Sequence, residues 1–371
     1  MSASESATKL FRCNPSVPVS RPGESSERSP YPTIDVHCHS LIPAVEALVA
    51  GHPGKEAEAA ATEAQFDDET RKVNAAMIES IGRKLVDIQV RLADMDASGI
   101  DIQVISTSPT QYYYWAEEDL ARSIVATTND AIEEICTAHP ERFAGLGTIS
   151  LQFPKLAARQ LEDLVRNRGL KGVQISTLVN GIDVADRRFD PFWAKADELG
   201  AVVFIHPWGT TLGPRVAEHY LMNTLGQPLE TTICLSKLIL GGTLDRHRGL
   251  KIIAAHGGGF LPTYSVRMDY GHAARPDTGC CECRPSDYLR RIWFDSVVFD
   301  PEHLEHLVAT VGKEQVLTGT DYPFDMGHYN PAALVANLDE QSQQAILGGN
   351  AAKLFGLALS KPLERVRSET D

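Results

Sequence analysis

The chain has 371 residues, of which 43% are hydrophobic and 23% are charged, and its formal net charge is −14 at pH 7. This composition is that of an ordinary globular protein, while the negative charge argues against a nucleic-acid partner, which normally requires a basic patch. The sequence contains no run of 18 or more apolar residues, so we expect no membrane-spanning helix and no membrane partner.

The two ends of the chain differ in composition from the middle. Residues 1–32 are rich in Ser, Pro and charge and lack the apolar segment of a secretory signal, which predicts an extended arm or disordered leader. We expect one catalytic domain over residues 33–359, followed by a charged tail over residues 360–371.

Cysteine usage indicates a reducing compartment. The seven cysteines are irregularly spaced and odd in number, which predicts free thiols and a cytoplasmic protein. Three of them lie close together, but no second such group exists to complete a structural zinc site, so we interpret this cluster as a thiol-rich loop. Its members are Cys280, Cys281 and Cys283.

The first predicted strand, residues 33–38, leads into His37 and His39. Side chains alternate along a strand, so both imidazoles should project from the same side near its C-terminal end. Two adjacent imidazoles are half of a metal site, but they are also compatible with two unrelated polar residues at the end of a strand. The spacing alone does not decide between these interpretations.

After an Ala/Glu-rich stretch that predicts an exposed helical excursion over residues 55–71, helices and short apolar strands alternate. This alternation is typical of a parallel sheet covered by helices. Arg91, in the first helix, is expected to be solvated or salt-bridged. Helices are predicted over residues 82–98, 117–137, 155–168, 191–199, 230–241, 260–271 and 301–311, and the later strands over residues 100–106, 143–149, 171–176, 201–206, 251–256, 291–296 and 316–320.

Eight such strands favour one fold within the α/β class. We predict a closed (β/α)8 TIM barrel, with a small insertion after the first strand and an extended N-terminal arm. An open doubly wound sheet is less consistent, because no glycine-rich phosphate loop follows the first strand. The run Gly257-Gly258-Gly259 lacks the spacing of such a loop and predicts a tight backbone turn beside a site.

Chemistry-bearing residues follow four of these strands. His37 and His39 end the first strand, His206 ends the fifth, His256 ends the sixth, and Asp321 follows the eighth. Taken singly, His206 is compatible with an ordinary strand-end histidine and Asp321 with a helix cap. In a (β/α)8 barrel, however, these ends meet on one face, and histidine and carboxylate ligands with an open position predict a catalytic divalent metal.

Four strings around these residues resemble the metal-dependent amidohydrolase superfamily, and within it the aminocarboxymuconate semialdehyde decarboxylase-like branch, the amidohydrolase 2 family. The likeness extends over residues 34 to about 357. The strings are Asp-x-His-x-His from Asp35, Phe-Ile-His-Pro-Trp from Phe204, Ala-His-Gly-Gly-Gly from Ala255 and Gly-Thr-Asp-Tyr-Pro from Gly319.

The resemblance implies a function and a set of site residues. It implies one zinc ion per subunit, with manganese possible, bound by the three imidazoles of His37, His39 and His206 and by Asp321. His256 would be the catalytic histidine beside the metal-bound water, with Asp321 as a second catalytic residue. The implied reaction is non-oxidative decarboxylation of a small conjugated or aromatic carboxylic acid.

The same resemblance implies a homodimer in which Arg267 reaches into the neighbouring subunit's site and holds a substrate carboxylate in two-pronged geometry. The other substrate contacts depart from the family. Arg71 is only a candidate for a second substrate-binding arginine, Gly209 and Thr210 replace the family's Asp-Met, and Asn223 stands in place of a pocket tryptophan. Trp208 is expected to line the pocket or to pack in the core.

Two other functions remain open at this point. The same metal chemistry serves a hydrolase or hydratase that acts on a C–N or C–C bond of a ring-cleavage or aromatic catabolite. A non-catalytic barrel that senses a small carboxylate or a metal is the third hypothesis, and the complete set of predicted ligands disfavours it.

Overall fold

A computed structural model describes residues 19–26 and 28–359 of the chain. The parts of the predicted arm and tail at residues 1–18 and 360–371 lie outside the described residues. Residues 19–26 and 28–32 contain no helix or strand and pack on the rest of the chain, since the Ser26 amide donates to the Ala97 carbonyl over 3.0 Å. No helix in the described ranges has the length and apolarity needed to cross a bilayer.

Ten strands are present in this part of the chain, and eight of them form a parallel barrel. They are β1 (Ile34–Ser40), β2 (Ile102–Thr107), β3 (Phe143–Gly145), β4 (Gly172–Ile175), β5 (Leu178–Val179), β6 (Ile182–Asp183), β7 (Val202–Ile205), β8 (Lys251–Ala254), β9 (Ile292–Asp295) and β10 (Val316–Leu317). The short antiparallel pair β5 and β6 lies outside the barrel order.

The α-helices surround the barrel or belong to its connections. They are α1 (Pro43–Val49), α2 (Pro53–Glu63), α3 (Asp68–Val86), α4 (Ile88–Ser98), α5 (Glu118–Ala138), α6 (Pro154–Arg166), α7 (Asp190–Leu199), α8 (Gln227–Leu240), α9 (Thr243–Arg246), α10 (Leu261–Ala274), α11 (Pro301–Val311), α12 (Pro331–Leu334), α13 (Glu340–Gln344) and α14 (Asn350–Phe355).

The barrel closes through two seams between a three-stranded sheet, β1-β2-β3, and a five-stranded sheet, β10-β9-β8-β7-β4. A parallel bridge joins Gly147 to Val173 at one seam, and another joins Cys38 to Tyr322 at the other. At the second seam, the backbone amide of Val36 also donates to the Thr318 carbonyl over 2.9 Å. The predicted (β/α)8 TIM barrel, with its insertion after the first strand, is therefore confirmed.

The barrel interior is filled by apolar side chains and is plugged at one end by the last helix. One buried cluster joins Val36 of β1 and Phe204 of β7 to Leu354 and Phe355 of α14. A larger cluster packs the outer faces of the strands against the helices, with the fully buried Trp193 among its largest members. Such a packed interior leaves the C-terminal ends of the strands as the place for a site.

The structure corrects the predicted bounds of two helices. The excursion predicted as one stretch over residues 55–71 is two helices, because the Asp67 carboxylate accepts a hydrogen bond from the Thr70 amide and starts α3. The helix predicted over residues 82–98 is likewise interrupted at Asp87, an extended residue whose carboxylate caps α4 through the Gln89 and Val90 amides. In both places a side-chain cap offers the backbone a better partner than a continuous helix does.

The prediction for Arg91 was wrong. Its side chain is buried, with 1% relative exposure, because α4 packs this face against the barrel. The guanidinium donates to Gln103 Oε1 over 3.0 Å and to the carbonyl of His39, and its Cζ lies 4.6 Å from the centroid of the Tyr322 ring. Oxygen acceptors and the face of an aromatic ring thus take the place of water around the buried guanidinium.

Replacement of Phe355 by alanine tests the role of α14 as the plug of the barrel. Phe355 is 4% exposed, so Phe355→Ala should lower the free energy of unfolding by about 3–5 kcal/mol, measured by urea denaturation. Phe299→Ala is the matched control, because that ring is 41% exposed and its loss should change stability much less. Equal effects of the two substitutions would contradict the proposed plug.

Candidate metal centre and active site

Four predicted ligands meet at the C-terminal end of the barrel. His37 and His39 lie on β1, His206 follows β7, and Asp321 follows β10. The register between β1 and β2 shifts between Asp35 and Cys38, so β1 carries one extra residue beside the two histidines. Such a bulge re-aims the neighbouring side chains. The barrel therefore brings together groups that are far apart in the sequence.

The ligand atoms of these four buried residues all lie within 4.8 Å of one another. Nε2 of His37 lies 3.1 Å from Nε2 of His39 and 3.3 Å from Oδ1 of Asp321. The same Asp321 oxygen lies 3.1 Å from Nε2 of His39, and the ring of His206 is centred 4.9 Å from the rings of both other histidines. The arrangement is a compact pocket of nitrogen and oxygen atoms.

The outer ring nitrogens of two ligands fix their tautomers. Nδ1 of His37 lies 2.6 Å from Oδ2 of Asp295, and Nδ1 of His206 lies 2.8 Å from the carbonyl oxygen of Pro207. A carboxylate and a carbonyl can only accept, so both Nδ1 atoms carry a proton, and each Nε2 presents a lone pair in the neutral form of the ring that binds a metal. Lone pairs directed at a shared centre, with a carboxylate beside them, are the donor set of a divalent cation.

The charges of the cluster also suit a cation. Burial opposes a positive charge on His37, but the carboxylates of Asp321 and Asp295 outweigh it and raise the pKa of the imidazole to about 10. Burial equally opposes ionisation of Asp321, and His37 and His39 nevertheless hold the pKa of its carboxyl well below its usual range. The cluster therefore favours positive charge at its centre, which a metal ion supplies in place of a proton.

His256, after β8, stands beside the four ligands. Its Nε2 lies 3.9 Å from Oδ2 of Asp321, and its Nδ1 is buried without a hydrogen-bond partner in the described part of the chain. Burial, reinforced by the nearby charge of His37, lowers the pKa of His256 to about 4, so the imidazole is neutral at pH 7. A neutral imidazole with a free ring nitrogen can accept a proton from a bound molecule.

The backbone is strained at two of these residues. His256 has a φ of 56° and Asp321 a φ of 60°, the left-handed region that non-glycine residues rarely adopt. The strained backbone persists because the surrounding structure fixes the segments that carry His256 and Asp321. Strain of this kind is typical of functional sites. The predicted tight turn of three glycines follows His256, and a Cβ on Gly259 would lie 2.1 Å from the Pro228 carbonyl oxygen.

Asp295, at the end of β9, was not singled out from the sequence. In addition to its contact with His37, its carboxylate accepts hydrogen bonds from the amides of His256 and Gly257 over 2.9 and 2.8 Å. One buried carboxylate thus orients His37, a candidate metal ligand, and fixes the turn that carries His256. The available signal was an aspartate at the C-terminal end of a predicted apolar strand, the position shared by the other site residues.

Asp35 supports the same site from within β1. Its fully buried carboxylate accepts hydrogen bonds from the His37 amide, from Gln103 Nε2 and from both the amide and the hydroxyl of Thr320, over 2.7–3.0 Å. Burial raises the pKa of Asp35 to about 6. These bonds tie β1 to β2 and to the segment that carries Asp321.

Two cavities meet at the centre. One, of about 660 Å³, lies between the metal-binding residues and helices α2 and α3 of the insertion, and the other, of about 590 Å³, lies towards α10. His256, Asp321, Asn223 and Met326 line both. A bound molecule therefore has room on either side of His256.

Only some of the predicted substrate contacts line a cavity. Trp208 and Asn223 line the larger cavity. Thr210 lines neither, because it lies behind the wall and its hydroxyl donates to Oε1 of Glu230 over 3.2 Å. Arg267 is exposed on α10 and does not line either cavity of its own chain. Arg71 lines the larger cavity, and its guanidinium forms hydrogen bonds within the insertion.

Comparison with known proteins identifies the family of this chain and several similar decarboxylases. The Amidohydrolase family model matches residues 34–357. The 2-amino-3-carboxymuconate-6-semialdehyde decarboxylase of Dictyostelium discoideum is 34% identical to this chain, over 78% of this chain and 82% of that protein. The crystal structure of 5-carboxyvanillate decarboxylase from Sphingomonas paucimobilis is 27% identical, with a TM-score of 0.74 over 88% of this chain and 100% of that one.

A 5-carboxyvanillate decarboxylase from Novosphingobium aromaticivorans, solved in complex with manganese and 4-hydroxy-3-methoxy-5-nitrobenzoic acid, has a TM-score of 0.78. It is 23% identical and covers 91% of this chain and 100% of its own. At this level of identity the likeness concerns the fold.

Replacement of Asp295 tests whether its carboxylate orients the metal ligand His37. Asp295→Asn should weaken the affinity for a divalent metal by about 10- to 100-fold, because the Nδ1–H of His37 loses a charged acceptor. The affinity is measured by competition with a chelator, with circular dichroism to check the fold. Asp277→Asn, a change at an exposed carboxylate paired with Arg275, should leave it unchanged. Unchanged affinity in the Asp295 variant would exclude the orienting role.

Proposed function

Because the chain belongs to the amidohydrolase family, we propose that it is a metal-dependent decarboxylase of a small conjugated or aromatic carboxylic acid. The observation that carries this proposal is the convergence of three imidazoles and the Asp321 carboxylate beside a neutral His256 at the place where two cavities meet. A site of this kind can hold an anionic substrate and move a proton at one of its atoms.

Zinc is the proposed ion, with manganese as the alternative. The support is the donor set, since three imidazole nitrogens and one carboxylate around an open position suit zinc. His37, His39, His206 and Asp321 would hold the ion, which would act as a Lewis acid towards substrate oxygen atoms. Metal analysis of protein purified without chelators identifies the ion.

His256 is the proposed proton carrier. In decarboxylation the bond between the carboxyl carbon and its neighbour breaks, carbon dioxide leaves, and the electron pair that stays on the substrate takes a proton. His256 lines both cavities and is neutral at pH 7, so it can take a proton from water and deliver it to the substrate carbon that keeps the electron pair, while solvent neutralises the hydroxide left behind. The Asp321 oxygen 3.9 Å away would stabilise the imidazolium formed in between.

Trp208 and Asn223, which line the larger cavity, are proposed to contact the substrate directly. Thr210 would act only through Glu230, whose carboxylate also accepts bonds from the amide and hydroxyl of Thr211 over 2.6 Å. Its role would be to hold the loop after β7 that carries Trp208.

The proposed working unit is a homodimer in which Arg267 enters the partner's site. The support is the apolar surface around Arg267 on α10, where Tyr264, Val266 and Tyr270 are all more than 60% exposed. Exposed aromatic side chains grouped with an arginine are typical of interface surfaces. The smaller cavity is lined by Tyr264 and opens towards the same helix, which would give a partner's side chain access to it.

A cytoplasmic location is also proposed. Its support is that the six cysteines in the described ranges carry free thiols, the state that a reducing compartment maintains.

The reaction is tested by incubating metal-loaded protein with a panel of conjugated and aromatic carboxylic acids in water labelled with ¹⁸O. We expect loss of substrate absorbance, release of carbon dioxide in equal amount, and no labelled oxygen in the organic product. Labelled oxygen in that product without carbon dioxide would indicate a hydrolase or hydratase instead.

The role of His256 is tested by substitution. His256→Ala should retain its metal and lose about 10²- to 10⁴-fold in kcat. Full activity after removal of the metal would also contradict the proposal.

A mixed dimer tests the contribution of Arg267 in trans. His256→Ala and Arg267→Ala subunits, carrying different tags, are co-expressed and the heterodimer is isolated by two affinity steps. Each single variant should be nearly inactive, while the heterodimer should recover about half of the wild-type activity, because one of its two sites receives both residues. An inactive heterodimer, or a monomer in sedimentation experiments, would contradict the proposed arrangement.

A further inference from the structure

The larger cavity extends well beyond the metal-binding residues. His206, His256 and Asp321 stand at its inner end, and the insertion helices α2 and α3 form its opposite wall. Its volume of about 660 Å³ is several times the roughly 150 Å³ that accommodates a single benzene ring. A substrate that reacts beside His256 therefore has space for a substituent under the insertion.

The wall of this cavity is mostly apolar, both near the metal-binding residues and under the insertion. Phe66 of the loop between α2 and α3, Met77 and Ile78 of α3, and Trp208 and Phe324 of the barrel loops face this space. Apolar and aromatic walls favour an apolar substituent. Binding is then favourable because apolar surface on both the wall and the substituent is removed from water.

The same space offers no free positive charge from the described residues that line it. Arg71 is its one lysine or arginine, and the guanidinium is already bonded: Nη1 donates to the carbonyls of Glu63 and Phe66 over 3.0 and 2.7 Å, and Nη2 donates to Asp68. These bonds close the loop between α2 and α3. Arg71 thus holds the insertion together, and its charge is paired.

Two acidic side chains, Glu63 and Glu79, stand at the exposed rim of this space. They would repel a second carboxylate on the substrate. Burial of such a carboxylate against an apolar wall without a partner is strongly unfavourable.

We infer that the substrate carries an uncharged, apolar substituent, which lies under the insertion helices while the carboxylate to be lost faces the metal-binding residues. This inference rests on the proposed function and narrows its substrate class. Arg267 of this chain does not line the cavity, and the proposed entry of the partner's arginine is through the smaller cavity beside α10, away from the space under the insertion.

The test compares pairs of hydroxybenzoic acids in which one ring position carries either a propyl group or a carboxymethyl group of similar size. With metal-loaded wild-type protein, kcat/KM should favour the propyl acid by at least about 100-fold at the preferred ring position. Equal or better turnover of the carboxymethyl acid would overturn the inference and leave decarboxylation standing. For acids that are not turned over, calorimetry on the same protein gives the ratio of dissociation constants.

The ratio of dissociation constants for the two members of a pair separates the inference about the pocket from the proposed reaction. Absence of carbon dioxide release from every acid would refute the proposed reaction, while tighter binding of the propyl acids would still support the apolar pocket. Failure of both members of every pair to bind would refute the pocket.

Two variants on one helix provide a matched control. Ile78→Arg places a free guanidinium on the cavity wall and should shift the ratio towards the carboxymethyl acid by about 10-fold or more. Val73→Arg adds the same charge at a 56% exposed position of α3 that does not line the cavity, and it should leave the ratio unchanged. Equal shifts in both variants would attribute the effect to net charge and contradict the inference.

Discussion

The buried contact between Asp295 and His37 is the interaction on which the site depends. It joins residues 258 positions apart, on β9 and β1, and both side chains are shielded from solvent. An uncompensated carboxylate in this place would be very unfavourable, so the pair commits the imidazole to one tautomer and turns its other nitrogen towards Asp321. Because the same carboxylate accepts hydrogen bonds from the amides of His256 and Gly257, the candidate metal ligand His37 and the proposed proton carrier His256 share one anchor.

A second layer of buried polar groups holds this arrangement against the barrel. Asp35 links the strand of His37 to Thr320, next to Asp321, while Arg91 binds the carbonyl of His39 and lies over Tyr322. Each group is satisfied by another, so the network is stable only as a whole. The preorganised site is thus a property of the closed barrel, and no single loop could provide it.

The candidate catalytic groups and the walls of the larger cavity come from different parts of the chain. The strand ends supply the imidazoles and carboxylates, whereas the insertion between β1 and α4 and the loop after β7 form the walls of the larger cavity. Loops on a (β/α)8 barrel can change without disturbing the strand ends, which explains how an intact donor set coexists with altered pocket residues such as Asn223.

The alternation of the eight barrel strands with helices, the closed barrel and the meeting of five residues at its strand ends were predictable, because strand periodicity is local and parallel strands converge at one end. The short strands β5 and β6 and the helices α12, α13 and α14 were not predicted. Helix bounds near Asp67 and Asp87 were not, since side-chain caps outweighed helical pattern. The burial of Arg91, the role of Asp295 and the pairing of Arg71 required the tertiary structure, because each depends on a partner brought close by folding. Sequence by itself determined which residues are candidates for the chemistry, because strand ends of a parallel barrel converge. Only the closed barrel and its insertion decided which side chains those residues contact and which charges near them are already paired.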